Sequence, residues 1–124
     1  MMTSLAKIAN DNDLNIQTHI SETKRQIEWI RNLFPDEEHY AGVYDKAGLL
    51  GNKTILAHGI YLTPAERELI KSRGCGISHC PNSNTSLRSG VCDVKQLLDD
   101  GFPVGFGTGK LCPAKIVIVG LVKL

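Results

Sequence analysis

Apolar and polar positions alternate from Leu14 to Ile20. Leu14, Ile16, Thr18 and Ile20 stand against Asn15, Gln17 and His19, the two-residue period of a strand whose faces differ. The stretch before it, Thr3 to Ala9, reads as the end of a helix closed by the turn-forming Asn10-Asp11-Asn12-Asp13. After the strand the period lengthens. Ile27, Ile30 and Leu33 lie on one helical face behind Thr23 and Gln26, which fit a capping box, and Phe34-Pro35 stops the run. A second unit follows. Lys53 to His58 predicts a short apolar strand, and Thr63-Pro64-Ala65-Glu66 supplies an N-cap, a proline at the first helical position and a glutamate at the third. Leu69 and Ile70 form the buried face of that helix, and Gly74 stands where a left-handed terminating glycine is expected. Cys75 to Cys80 then reads as a third strand and Pro81 to Gly90 as a loop rich in Asn and Ser. Val91 to Asp100 reads as a helix through Val91, Val94, Leu97 and Leu98, and Val104 to Gly107 as a fourth strand.

Strands alternating with helices predict an α/β fold with a mostly parallel sheet. In each of the first three units a histidine closes the strand: His19, His58 and His79. Barrels and open α/β sheets both place their active sites at the carboxyl ends of strands. One such histidine is as easily a structural residue. Three at the same topological position suit metal binding or proton transfer near neutral pH. His39, in the polar run Asp36 to Tyr40, reads as solvated. Glu22, at the turn from the first strand into its helix, reaches the same end of the sheet. It is read either as a proton carrier or as a first-turn glutamate favoured by the helix dipole.

Composition narrows the classes. The 124 residues carry 14 Lys and Arg against 13 Asp and Glu, a formal net charge of +1, with no basic stripe. A nucleic-acid partner is therefore not expected, and a small molecule is. The start of the chain shows no secretory pattern, so a cytoplasmic location is expected. The longest apolar run, residues 116–122, is far shorter than the ~20 residues that cross a bilayer, so no membrane span is expected. Cys75, Cys80, Cys92 and Cys112 show no Cys-x-x-Cys spacing and are read mainly as free, partly buried thiols. A small zinc module of Cys75, His79, Cys80 and Cys92 is the minor alternative.

Four motifs occur in the order found in the amidohydrolase superfamily: His19-Ile20-Ser21-Glu22, Leu56-Ala57-His58-Gly59, His79-Cys80-Pro81-Asn82-Ser83-Asn84 and Gly105-Phe106-Gly107-Thr108. The intervening text, including Tyr44 to Leu50, resembles the guanine deaminases of that superfamily. The resemblance runs from about Thr3 to Thr108. It implies a partial TIM-type (β/α)8 barrel, about strands five to eight with their helices, and a zinc-dependent hydrolysis of guanine to xanthine and ammonia. By the same resemblance His19 is a zinc ligand, Glu22 the proton shuttle and His58 the residue that orients the attacking hydroxide. His79, Pro81, Asn82, Ser83 and Asn84 line the substrate pocket.

The sequence departs from that pattern in two places. The superfamily draws two further zinc ligands from a His-x-His motif and one from an aspartate directly after Gly-x-Gly-Thr. This chain has no His-x-His, and Gly109 stands at the aspartate position. The expected division is a partial barrel domain over residues 1–108 and a divergent apolar tail over residues 109–124. A (β/α)8 barrel normally takes ~250 residues. The chain is accordingly expected to be a truncated form, inactive alone. The alternatives are a non-catalytic half-barrel that self-associates or pairs with a full-length subunit, and another amidohydrolase acting on a heterocyclic amine.

Overall fold

A computed structural model describes residues 1–107 and 119–122. Helix α1 (Met2–Asp11) leads into strand β1 (Ile16–Ile20), followed by helices α2 (Lys24–Leu33) and α3 (Tyr40–Lys46). Strand β2 (Thr54–His58) and helix α4 (Pro64–Ser72) come next, then strand β3 (Gly76–His79), helices α5 (Pro81–Ser86) and α6 (Val94–Asp99), and strand β4 (Val104–Phe106). Strand β5 (Val119–Val122) ends the described chain.

The sheet order is β1-β2-β3-β4-β5. The first four strands are parallel neighbours joined through helices. β5 runs antiparallel to β4, pairing Val122 with Val104 and Val119 with Phe106 across an irregular register. Part of the sequence expected to form an apolar tail is therefore a strand. The change after Thr108 lies outside the described residues as far as residue 118.

β2 is buried almost throughout, as expected for an inner strand covered on both faces, whereas β1 alternates and lies at the sheet edge. Ile20, Leu56, Ile77 and Val104, one from each parallel strand, form the core with Ile70, Leu97 and Phe102. The capping predicted at Thr63 is present in full. Its hydroxyl accepts from Glu66 N, and the Glu66 carboxylate accepts from Thr63 N. Glu66 also reaches across to Ala41 N at 3.2 Å, joining the start of α3 to that of α4.

One helix went unread in the sequence and three expectations need correction. Residues 40–46 form α3, because Tyr40, Ala41, Val43 and Tyr44 bury a helical face that the polar run before them concealed. Pro81–Ser86 is a short helix rather than loop, with proline at its first position, where the missing N–H costs nothing. α6 begins only after Asp93, whose side chain caps it, and Val91 is left 88% exposed. Leu33 is 52% exposed and α2 fully buries none of its residues, while Ile27 and Ile30 rest on the core edge.

Candidate active site at the strand ends

The parallel strands bring His19, Glu22, His58 and His79 to one end of the sheet. The chain turns sharply there. Ser21 and His58 adopt left-handed backbone angles, φ 46 and φ 75, and Gly59 follows at φ 58. Such a conformation in a residue with a side chain costs on the order of 1 kcal/mol, and histidine tolerates it better than most. Two bonds hold the bend: Gly59 N donates to Ile20 O and Tyr61 N to Ser21 O, both at 3.0 Å. A side chain at Gly59 would press on Leu62 and Ile77 at 3.3 and 3.4 Å, so the bend packs directly on the core.

The His58 side chain is 1% exposed and that of Glu22 16%. His58 Nδ1 lies 2.7 Å from Asn84 Oδ1. An amide oxygen only accepts, so Nδ1 carries the hydrogen. His58 Nε2 then faces Glu22 Oε2 at 3.6 Å, beyond direct hydrogen-bond length. A neutral imidazole and a carboxylate in this arrangement meet acceptor to acceptor, leaving a place for one more proton between them. Ser89 Oγ donates to the other carboxylate oxygen, Glu22 Oε1, at 2.9 Å. The Glu22 backbone N–H donates to Gln26 Oε1 at 3.0 Å, so the Gln26 side chain holds Glu22 while its own N–H caps on Thr23.

His19 stacks on His58, with ring centroids 5.3 Å apart and planes 24° from parallel. Loss of solvent around the ring, with repulsion from His58, lowers the His19 pKa against an opposing pull from Glu22. His79 meets Phe106 edge to face at 5.8 Å. Burial, then His58, lowers its pKa too, and its Nδ1 is buried without a hydrogen-bond partner among the described residues. Both rings thus favour the neutral form, which keeps a lone pair available.

Of the remaining residues predicted for the pocket, Pro81 is half-buried, Asn82 exposed, and Ser83 and Asn84 buried. Asn84 is the member of that group that bonds to His58. His39 stands apart, its side chain 24% exposed beside Glu38 rather than fully solvated. It lines a cleft with Ile30, Phe34, Tyr40 and Glu66. Cys75, Cys80 and Cys92 are buried free thiols, and burial pushes Cys92 up to about 11. Cys112 lies outside the described residues. Sequence reasoning missed Ser89, the hold of Gln26 on Glu22, and Tyr40 and Tyr44, whose hydroxyls lie 3.4 and 2.9 Å from His19 O. Ser89 is 67 positions from Glu22, and no local pattern links the two.

A catalytic zinc site takes three protein ligands and an open position. His19 offers one. No group of three His, Cys, Asp or Glu side chains converges among the described residues, which disposes of the cysteine module and leaves the zinc set unfilled by those residues. Among them, too, no helix is long and apolar enough to cross a membrane.

A parallel α/β sheet that gathers histidines and a glutamate at the carboxyl ends of its strands has the arrangement in which barrels and open α/β sheets place their sites. Residues 1–116 match the family model for the amidohydrolase family, and the chain belongs to that family. It is 46% identical over 108 residues to guanine deaminase of Mus musculus, covering 87% of this chain and 24% of that protein. It is also similar to the crystal structure of guanine deaminase from C. acetobutylicum with guanine in the active site. The TM-score is 0.84 and the identity 38%, covering 86% of this chain and 26% of that one. An adenosine deaminase from Xanthomonas campestris with bound zinc matches at TM-score 0.80 and 27% identity, over 86% of this chain and 24% of that one. The chain thus spans about a quarter of the length of the relatives it matches. The fold is of the TIM-barrel type, represented here by four parallel strands.

Proposed function

We propose that this chain carries the proton-transfer side of a guanine deaminase site: Glu22 and His58 as the catalytic pair, His19 as one metal ligand, and guanine as substrate. In this reading residues 1–108 correspond to strands five to eight of the barrel, residues 109–124 are an added tail, and the protein works in the cytoplasm. The observation that carries it is the opposition of Glu22 Oε2 and His58 Nε2 at 3.6 Å beside the His19 ring.

Hydrolytic deamination adds water at the ring carbon and expels ammonia, so a proton must leave the water and protons must reach the base and the departing amine. Glu22 Oε2, partly desolvated and free of the Ser89 bond held by Oε1, is the atom that takes and returns the proton. His58, nearly sealed from solvent, orients the attacking oxygen from Nε2. His79 and the segment from Pro81 to Asn84 border the space for the base. Zinc in such a site supplies a more acidic water, and with one ligand here the ion requires others from outside the described residues. β1 lies at the sheet edge, and pairing of that edge with another barrel half, in a second copy or a full-length subunit, is the route to a complete site.

The test is a chimera. Residues 1–107 replace the matching segment of the mouse enzyme, and xanthine formation is followed by absorbance with zinc present. The chimera is expected to deaminate guanine, and Glu22→Gln to slow it by ~100-fold or more. A folded, zinc-loaded chimera without activity, or a Glu22→Gln form of undiminished rate, would overturn the assignment. The isolated chain with zinc and guanine is expected to form no xanthine.

A further inference from the structure

The segment from Pro81 to Gly90 touches both members of the Glu22–His58 pair, through Asn84 and through Ser89. Asn84, 3% exposed, offers Oδ1 to His58 Nδ1 at 2.7 Å. Ser89, 5% exposed, donates its hydroxyl to Glu22 Oε1 at 2.9 Å. The two clamps are fastened to each other, since Ser89 N donates to Asn84 O at 2.9 Å. They are fastened to the scaffold as well. Asn84 N donates to Cys80 O at the end of β3, and Tyr61 Oη donates to Ser89 O at 2.7 Å. Gly90, at φ 136, lets Tyr61 come this close, because a Cβ there would lie 2.6 Å from Tyr61 Oη.

We infer that this segment is a positioning element for the proton-transfer pair: Asn84 sets which nitrogen of His58 carries hydrogen, and Ser89 holds the Glu22 rotamer that turns its carboxylate toward that ring. The inference rests on the assignment of Glu22 and His58 as that pair. Neither Asn84 nor Ser89 is a catalytic residue in this account; each acts through its partner. An imidazole without a partner at Nδ1 is free to place its hydrogen on Nε2, which would turn a donor rather than a lone pair toward the carboxylate. A Glu22 side chain without the Ser89 bond is free to change rotamer and swing its carboxylate away from the 3.6 Å gap. Both failures would disable the pair while leaving every catalytic atom in the protein.

The experiment uses the full chain, isotopically labelled, without zinc or substrate, at a pH near 8. Long-range proton–nitrogen correlation reads the His58 tautomer, and vicinal couplings read the Glu22 side-chain rotamer. The unmodified chain is expected to show hydrogen on His58 Nδ1 and one Glu22 rotamer. Asn84→Leu is expected to shift His58 to the Nε2–H form or a mixture, and Asn84→Asp, which keeps an acceptor, to preserve Nδ1–H. Ser89→Ala is expected to average the Glu22 rotamers, and Ser89→Thr, which keeps the hydroxyl, to restore the single one. Hydrogen on Nε2 in the unmodified chain, an unchanged tautomer in Asn84→Leu, or an unchanged rotamer in Ser89→Ala would overturn the inference. Should Asn84→Leu fail to fold, the unmodified chain and the Ser89 variants still decide it. None of these readouts requires turnover, so a failure of the guanine assignment is distinguishable from a failure of the clamp.

Discussion

Removing one buried hydroxyl, in Tyr44→Phe, tests how the strand bearing His19 is held. Ile16 N donates to Lys53 O and Ile20 O accepts from Gly59 N, so the even-numbered residues of β1 direct their backbone groups to β2. His19 therefore directs its carbonyl away from the sheet, at an edge with no strand neighbour among the described residues. Tyr44 Oη donates to that carbonyl at 2.9 Å. Tyr40 Oη lies 3.1 Å from Tyr44 Oη and 3.4 Å from His19 O. One hydroxyl hydrogen serves one of these, and the shorter contact makes a relay in which Gln26 Nε2 donates to Tyr40, Tyr40 to Tyr44, and Tyr44 to His19 O. Burial and Tyr44 push the Tyr40 pKa far up, which keeps its hydroxyl protonated as the relay requires. Tyr44→Phe leaves the His19 carbonyl and the Tyr40 hydroxyl only their long 3.4 Å contact with each other, a loss of about 2 kcal/mol, whereas Tyr40→Phe keeps the 2.9 Å bond from Tyr44 to His19 and loses about 1 kcal/mol or less. With a urea dependence of about 2 kcal/mol per molar, the unfolding midpoints fall by about 1 M and about 0.5 M. Because the two hydroxyls share one chain of bonds, the double variant is expected to lose less than the sum. Urea titration followed by circular dichroism measures all three. A Tyr40→Phe loss equal to or above that of Tyr44→Phe, or strict additivity, would refute the relay.

Thr63→Ala removes the hydroxyl that accepts from Glu66 N and is expected to cost about 1 kcal/mol. Glu66→Ala also strands the N–H groups of Thr63 and Ala41 and is expected to cost more, about 3 kcal/mol; thermal melts showing the reverse order would contradict the bridge between α3 and α4. The lowered pKa values of His19 and His79 mean that the unfolded chain takes up protons first as pH falls. Their contribution is therefore intact above ~6.5 and is lost as pH drops through that value toward the lowered ones. Melting temperatures compared at pH 7.5 and 5.5 should decline, and a rise on acidification would count against the assigned shifts. Gly90→Ala, which meets Tyr61 Oη at 2.6 Å in a left-handed backbone position, is expected to destabilise by about 2 kcal/mol. Gly51→Ala, with nothing within 4 Å of the added Cβ, should stay within about 0.5 kcal/mol in the same denaturation assay.

The readable parts of the fold were those decided locally. Alternation over residues 14–20 and the box at Thr63-Pro64-Ala65-Glu66 report backbone preferences that tertiary packing left intact, and the histidines ending three strands follow from strand direction alone. The illegible parts were decided at a distance. α3 escaped notice because its burial comes from Ala41, Val43 and two tyrosines whose hydroxyls serve β1, a pairing without periodic trace. Pro81–Ser86 reads as loop because Asn, Ser and Thr favour turns in isolation. In the fold, the proline and the bond from Asn84 N to Cys80 O close a helical turn. Glu22 was legible as a residue at the correct end of the sheet. The hydroxyl that holds its carboxylate was not, since Ser89 arrives from another unit, 67 positions along the chain.

Placement of the proton-transfer pair depends on two scales of constraint. Ile20 and His58 are partners in the β1–β2 register, and Glu22 follows two residues later, so the sheet itself brings Glu22 beside His58. A slip of one residue along a strand moves a side chain by about 3.3 Å and to the opposite face. That displacement is nearly the whole 3.6 Å gap between His58 Nε2 and Glu22 Oε2, so the register must be unique for the pair to exist at all. Burial of Ile20 and Leu56, both at 0% exposure, supplies that uniqueness, because a slip of either strand would turn its own residue out of the core. What the register leaves free is the orientation of two side chains, a freedom of one ring and one carboxylate. The bonds from Asn84 and Ser89 fall on those two groups. A core substitution such as Leu56→Ala should therefore disturb the pair through the strands, while Asn84 and Ser89 variants disturb it with the strands in place.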